Sequence, residues 1–244
     1  MKVLITGAAS GIGRSLAREL AHSVQTLILV DLNQPGLDEL ANELKLTGVT
    51  TKCFAGNLTD APFLDELCAY LKVADIDVLI NNAGVAHELK EFSQISDTDF
   101  DLGVAVNVTA PFKLIKAVLP GMQARKSGQI FSIASRANIY GYPKMAVYAA
   151  TKAAITSLGQ TVALENPDLK SIVVLPGRTN TPMQHMLRGA MVAQSAQSPE
   201  FVAEMIVKVI NGKVAIKNGD ILLIDDGKCL VLEELFKADL HKNL

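Results

Sequence analysis

Much of what this chain could be is excluded by what it lacks. Its 244 residues include three cysteines, Cys53, Cys68 and Cys229, an odd number with no C-x-x-C pair. That suits neither a disulfide framework nor a four-ligand zinc site, so the thiols read as structural and the compartment as reducing. Lys and Arg total 23 against 25 Asp and Glu, and a net charge of -2 leaves no basic surplus to track along a nucleic acid. Small anions remain suitable partners. No apolar stretch reaches the roughly 18 residues that suggest a membrane span. The apolar run after Lys2 breaks at Gly7, too soon for a signal peptide, so a cytoplasmic protein is expected. No serine stands in a G-x-S-x-G elbow, which leaves serine hydrolysis without support. His22, His87, His185 and His241 read as ordinary surface or core residues, and no metal is expected. There is no repeat, linker or low-complexity run.

With 49% hydrophobic and 20% charged residues, the chain can bury a sizeable core, and residues 1–244 are expected to form one α/β domain. The apolar run Val3-Leu4-Ile5 leads into Thr6-Gly7-Ala8-Ala9-Ser10-Gly11-Ile12-Gly13, which opens a helical pattern continued by Leu16 and Leu20. Strand, glycine loop and helix in that order make a phosphate site, because the backbone can approach a ligand closely and the helix amides and dipole attract negative charge. A dinucleotide pyrophosphate is the natural guest. Gly7 and Gly13 are six apart, one more than in the general G-x-G-x-x-G fingerprint. A second strand, Thr26–Val30, ends at Asp31, eighteen residues after Gly13, where a carboxylate can accept hydrogen bonds from ribose hydroxyls or simply cap the next turn.

Further along, helices are expected over Pro35–Leu46, from Asp60 to about Lys72, from Asp97 to Met122, through Val162 to Pro167, and after a Ser198-Pro199-Glu200 start. Strands are expected at Thr50–Ala55, Asp77–Ile80, Ile130–Ser135 and Leu169–Leu175, with Ile221–Ile224 as the last. In the Asp97–Met122 helix, Phe100, Val104, Val108, Phe112, Ile115 and Leu119 mark the apolar face. Residues 183–198 are expected to be a loop serving as a lid. Leu230, Leu232, Leu235, Phe236 and Leu240 suggest a helical tail over 229–244. Tyr148 and Lys152, four apart, share one helix face, so the ammonium can sit beside the phenol and lower its pKa.

The T-G-x-x-x-G-x-G loop, Asn81-Asn82-Ala83-Gly84, Ser135 thirteen residues before Tyr148-x-x-x-Lys152, and Pro176-Gly177-Arg178-Thr179-Asn180-Thr181 together resemble the short-chain dehydrogenase/reductase family. The resemblance covers about residues 1–228. It implies a Rossmann-type, doubly wound parallel sheet and reversible hydride transfer between a nicotinamide cofactor and a carbonyl or secondary alcohol. By the same resemblance Tyr148 exchanges the proton, Lys152 holds the ribose and tunes Tyr148, Ser135 orients the substrate oxygen, and Asn107 seats a relay water. Cofactor contacts are expected from Gly7, Ser10, Gly11, Ile12, Gly13, Asp31, Asn57, Leu58, Asn82, Ala83, Gly84, Tyr148, Lys152, Pro176, Gly177, Thr179 and Thr181. Asn57 departs from the family, which has an aspartate there; its side-chain oxygen can still accept a bond from adenine, without the charge.

Asp31, with Ser10 and Leu32 where NADP users carry a cation, points to NAD over NADP. A homo-oligomer, tetramer or dimer, is implied, with the two long helices at its interface and the last strand free to pair across an axis. Arg136 and Arg178 follow motif residues and could meet an anionic substrate or be ordinary solvated arginines. The alternative from another class is a binder of NAD(H) on the same fold that does not turn over.

Overall fold

The computed structural model describes residues 1–139 and 141–232. Strands β1 (Lys2–Thr6), β2 (Thr26–Asp31), β3 (Thr50–Ala55), β4 (Val78–Asn81), β5 (Gln129–Ile133), β6 (Lys170–Pro176), β7 (Ile221–Asp225) and β8 (Lys228–Leu232) form one sheet in the order β3-β2-β1-β4-β5-β6-β7-β8. The pairs from β3 to β7 are parallel, and β8 is antiparallel to β7. Helices α1 (Gly11–Leu20), α2 (Gln34–Leu44), α3 (Ala61–Val73), α4 (Asp97–Val104), α5 (Ala110–Arg125), α6 (Ala146–Glu165), α7 (Pro182–Arg188), α8 (Ala190–Gln194) and α9 (Pro199–Ile210) fill the connections. The fold is a doubly wound α/β sheet of Rossmann type.

Alternation along the strands explains the layers. Val3 and Ile5 point to one face, where they pack with Leu16, Leu37 and Ile206; Leu4 points to the other, with Leu67, Leu79 and Leu114. Val3, Leu4 and Ile5 are all fully buried, as a parallel strand covered on both sides requires. Each such side chain contributes about 1.5–3 kcal/mol. Strand order reverses between β1 and β4, and the crevice there, at the carboxyl ends of the strands, is where such sheets bind ligands.

Helix starts follow the sequence signals. Asp60 accepts from the Phe63 amide at 3.3 Å, and Ser198 from the Phe201 amide at 3.1 Å. Ser10, at the start of α1, makes no such side-chain bond, so the first-turn amides of that helix are left for a ligand.

Several sequence expectations are corrected. The 97–122 helix is two helices joined by a π-helical turn at Ala105–Thr109. The wider turn shifts the register, so Phe100 and Phe112 stand half exposed while Ala110, Leu114, Ala117, Val118 and Met122 take the core. The continuous run Asp97–Arg125 reaches a mean hydropathy of 1.5 over an 18-residue window, long and apolar enough to cross a membrane by composition, and half of that window is buried in this protein. The lid region is helical in α7 and α8, with Thr181 capping α7 through the Gln184 amide at 3.4 Å.

Ile221–Ile224 is not the last strand. Asp226 and Gly227, at φ 51° and 72°, make a tight hairpin turn into β8, so Leu230 and Leu232 lie on a strand and not on a helix. Leu235, Phe236 and Leu240 of the expected tail lie outside the described residues.

Candidate active site

A cleft of about 920 Å³ opens along the carboxyl ends of the strands. At one end the β1–α1 connection turns through Gly7, at φ 66°, and a Cβ there would fall 2.9 Å from the Ala83 Cα. A Cβ at Gly13 would fall 2.1 Å from the Gly7 carbonyl oxygen, so the first turn of α1 must lie directly on the loop. Gly7, Ser10, Gly11 and Ile12 line the cleft, whereas Gly13 packs behind it. The hydroxyl of Thr6 accepts from the amides of Asn82 and Ala83, both at 3.0 Å, and the Asn82 side chain donates to the Thr6 and Gly7 carbonyls. Asn82, Ala83 and Gly84 are thereby fixed along the floor. The concave loop and the uncapped helix amides fit a pyrophosphate.

Asp31, Asn57 and Leu58 line the same end. The two carboxylate oxygens of Asp31 accept from the amides of Ala9 and Asn33, each at 2.9 Å, which holds the charge in place. Leu32 is exposed, and Arg14 is drawn away toward Glu39 and Glu43. Asn57 uses its side-chain oxygen to accept from the Thr59 amide at 2.9 Å, a local turn that leaves only its second lone pair for a ligand.

The other end gathers Ser135, Tyr148, Lys152, Pro176, Gly177, Thr179 and Thr181. Ser135 follows β5 and Tyr148 lies in the first turn of α6, and both line this end of the cleft. Burial raises the phenol's pKa above its ordinary value, and the nearby Ser135 side chain opposes this in part. Lys152 was expected to lower it. Its Nζ lies 5.6 Å from the Tyr148 ring centroid and donates to the Ile133 carbonyl at 2.8 Å, but in this structure burial is the larger influence on the phenol. Burial also brings Lys152 itself down to about 8.

Asn107 lies in the π turn, 2% exposed, and does not line the cleft. It accepts from the Val85 amide at 2.8 Å and donates to the Val85 carbonyl at 2.9 Å and the Thr151 hydroxyl at 3.0 Å. Thr151 in turn donates to the Tyr148 carbonyl at 3.0 Å. Sequence reasoning missed Thr151, although it stands inside the Tyr148–Lys152 motif. It also missed Asp225, which lies across Gly177 and forms an ion pair with Arg136. A Cβ at Gly177 would fall 1.6 Å from a carboxylate oxygen of Asp225.

Such an arrangement can bind a dinucleotide at one end and move a proton at a hydroxyl pair at the other. The sequence model of the short chain dehydrogenase family matches residues 1–191. The chain is 30% identical over 237 residues to the 3-oxoacyl-[acyl-carrier-protein] reductase FabG of Thermotoga maritima, covering 92% of this chain and 96% of the relative. Among solved structures, a short-chain dehydrogenase from Sphingobium yanoikuyae in complex with NADPH superposes with a TM-score of 0.83 at 28% identity, over 91% of this chain and 87% of the other. A putative NAD(P)-dependent gluconate 5-dehydrogenase from Beutenbergia cavernae, with NADP bound at low occupancy, gives 0.83 at 25% identity, over 92% and 94%.

Proposed function

We propose that this chain, which belongs to the short-chain dehydrogenase/reductase family, reversibly transfers a hydride between NAD(H) and a carbonyl or secondary alcohol in the cytoplasm. The observation that carries the reading is that Ser135, Tyr148 and buried Lys152 line the same cleft as the uncapped start of α1, with the Lys152 Nζ 5.6 Å from the Tyr148 ring centroid. When bound, the nicotinamide supplies or accepts the hydride. In carbonyl reduction, Tyr148 gives its phenolic proton to the substrate oxygen as the carbonyl carbon gains the hydride; in alcohol oxidation both return. Ser135 orients that oxygen. Lys152, fixed at the Ile133 carbonyl, presents its ammonium to the ribose and to Tyr148. Both amide hydrogens of Asn107 are engaged by Val85 and Thr151, so a relay water there would donate to its oxygen.

Replacing Tyr148 with Phe should lower turnover roughly 100- to 10,000-fold while NADH affinity is kept. A variant that retains half the wild-type rate, with chemistry limiting, overturns the assignment.

NAD over NADP rests on Asp31. A 2′-phosphate would face a carboxylate already fixed by two amides, with no cation at Leu32 and with Arg14 paired elsewhere. Two like charges at 4–8 Å repel by roughly 2–4 kcal/mol at an effective dielectric near 20. The wild type should therefore favour NAD in kcat/KM, and Asp31→Ala with Leu32→Arg should shift the preference toward NADP. Equal use of both cofactors by the wild type would refute it.

A further inference from the structure

The chain has six arginines. Among the described residues four have carboxylate partners: Arg14 with Glu39 and Glu43, Arg18 with Glu43, Arg125 with Asp75, and Arg136 with Asp225. The two without one, Arg178 and Arg188, both line the cleft. Both are exposed to the cleft, where no carboxylate of the described residues pairs with either.

Their settings are complementary. Arg178 projects from a fixed main chain: its carbonyl accepts from the Gln197 amide at 3.2 Å, and the following Thr179 bridges to Gln197. Arg188 ends lid helix α7 and reaches back over the start of α6, where its Nη2 lies 4.0 Å from the Met145 sulfur, one turn before Tyr148. A thioether is a weak acceptor that leaves the cation's charge uncompensated. At this end of the cleft Arg136 and Asp225 cancel, and Asp226 on the hairpin turn offsets one further charge, so the local balance stays positive.

We infer that the substrate of the proposed reaction carries an anionic group, carboxylate or phosphoryl, gripped by Arg178 and Arg188 while its carbonyl lies at Ser135 and Tyr148. A guanidinium suits this task because its planar fork of donors matches either oxyanion. The inference rests on the oxidoreductase reading but fails separately from it.

The test compares matched carbonyl compounds with NADH: levulinate against methyl levulinate, acetoacetate against ethyl acetoacetate, and dihydroxyacetone phosphate against dihydroxyacetone. The charged member of at least one pair should be favoured about tenfold or more in kcat/KM, and the ratio should shrink with added salt. Which pair responds separates carboxylate from phosphoryl recognition. Arg178→Gln and Arg188→Gln should each reduce that ratio, and Arg178→Lys should restore part of it. Wild-type ratios near or below one in all three pairs, or an unchanged ratio in the double Gln variant, overturn the inference. Calorimetric titration of the protein–NAD complex with hexanoate and with hexanamide reads the anion site without turnover. Arginine-dependent binding of hexanoate alone supports it even if no carbonyl compound is reduced, an outcome that would overturn only the oxidoreductase reading. Equal binding of acid and amide overturns the anion site.

Discussion

Lys152 makes the molecule's behaviour depend on pH in two ways. Burial disfavours the ammonium, so the folded protein holds this proton less tightly than the unfolded chain, in which the lysine keeps its ordinary 10.5. The resulting cost is fully present below about pH 8 and disappears as the pH rises from about 8 toward 10.5. In cofactor-free protein this one group should therefore add about 3 kcal/mol of stability across that window. Urea unfolding of the wild type and of Lys152→Met at pH 7 and pH 10 checks the sign: the gain should be present in the first and missing from the second. Catalysis should run the other way. Tyr148 stays protonated through neutral pH, whereas the Lys152 charge is lost above about 8, so kcat/KM for reduction should be level up to that point and then fall. Ser135, Tyr148 and Lys152 were legible in the sequence because their spacing lies along one strand end and one helix. Asp225 was not, since its partner Arg136 is 89 residues away and no local pattern links them.

Among the elements, the β7–β8 hairpin sets the back wall of the cleft. Its Asp225 carboxylate lies over Gly177, where any side chain would collide with it, so Gly177→Ala must displace the Arg136–Asp225 pair. We expect a clear fall in Tm for Gly177→Ala, and a smaller additional fall when the same change is made in Asp225→Ala. A double-mutant cycle should return a coupling of about 0.5–3 kcal/mol, and additivity would show that the contact is not the cause. The hairpin was overlooked because Leu230 and Leu232 can be counted on a helical spacing as well as on a strand. The Asp226-Gly227 turn is what decides between them. The π turn was hidden for a similar reason: Phe100, Val104, Val108 and Phe112 keep a regular four-residue step in the sequence that the wider turn does not keep in space.

For the whole molecule, the faces left over matter most. Phe100, Phe112 and Leu164, on α4, α5 and α6, are 51%, 49% and 71% exposed. We propose that a second copy covers these side chains, in keeping with the homo-oligomer implied by the sequence. The sheet contributes differently from that expectation, because β8 already occupies the edge of β7 and any pairing across an axis would have to use β8. Sedimentation at micromolar concentration should give a multiple of 26.1 kDa, and Phe112→Asp should lower it; a wild-type monomer would end the proposal.

The strand order also has a consequence for synthesis. β1 leaves the ribosome before β4, its neighbour on one side, and Thr6 finds its partners at Asn82 and Ala83 only about 75 residues later. Gly11 then meets Thr181, whose methyl lies 3.0 Å from where a Cβ on that glycine would stand, after a further hundred or so residues. The β1–α1 loop is thus completed only after segments far downstream have emerged. Until β4 emerges, the β4-facing edge of β1 lacks its native neighbour and is available to whatever chaperone or neighbouring nascent chain reaches it first.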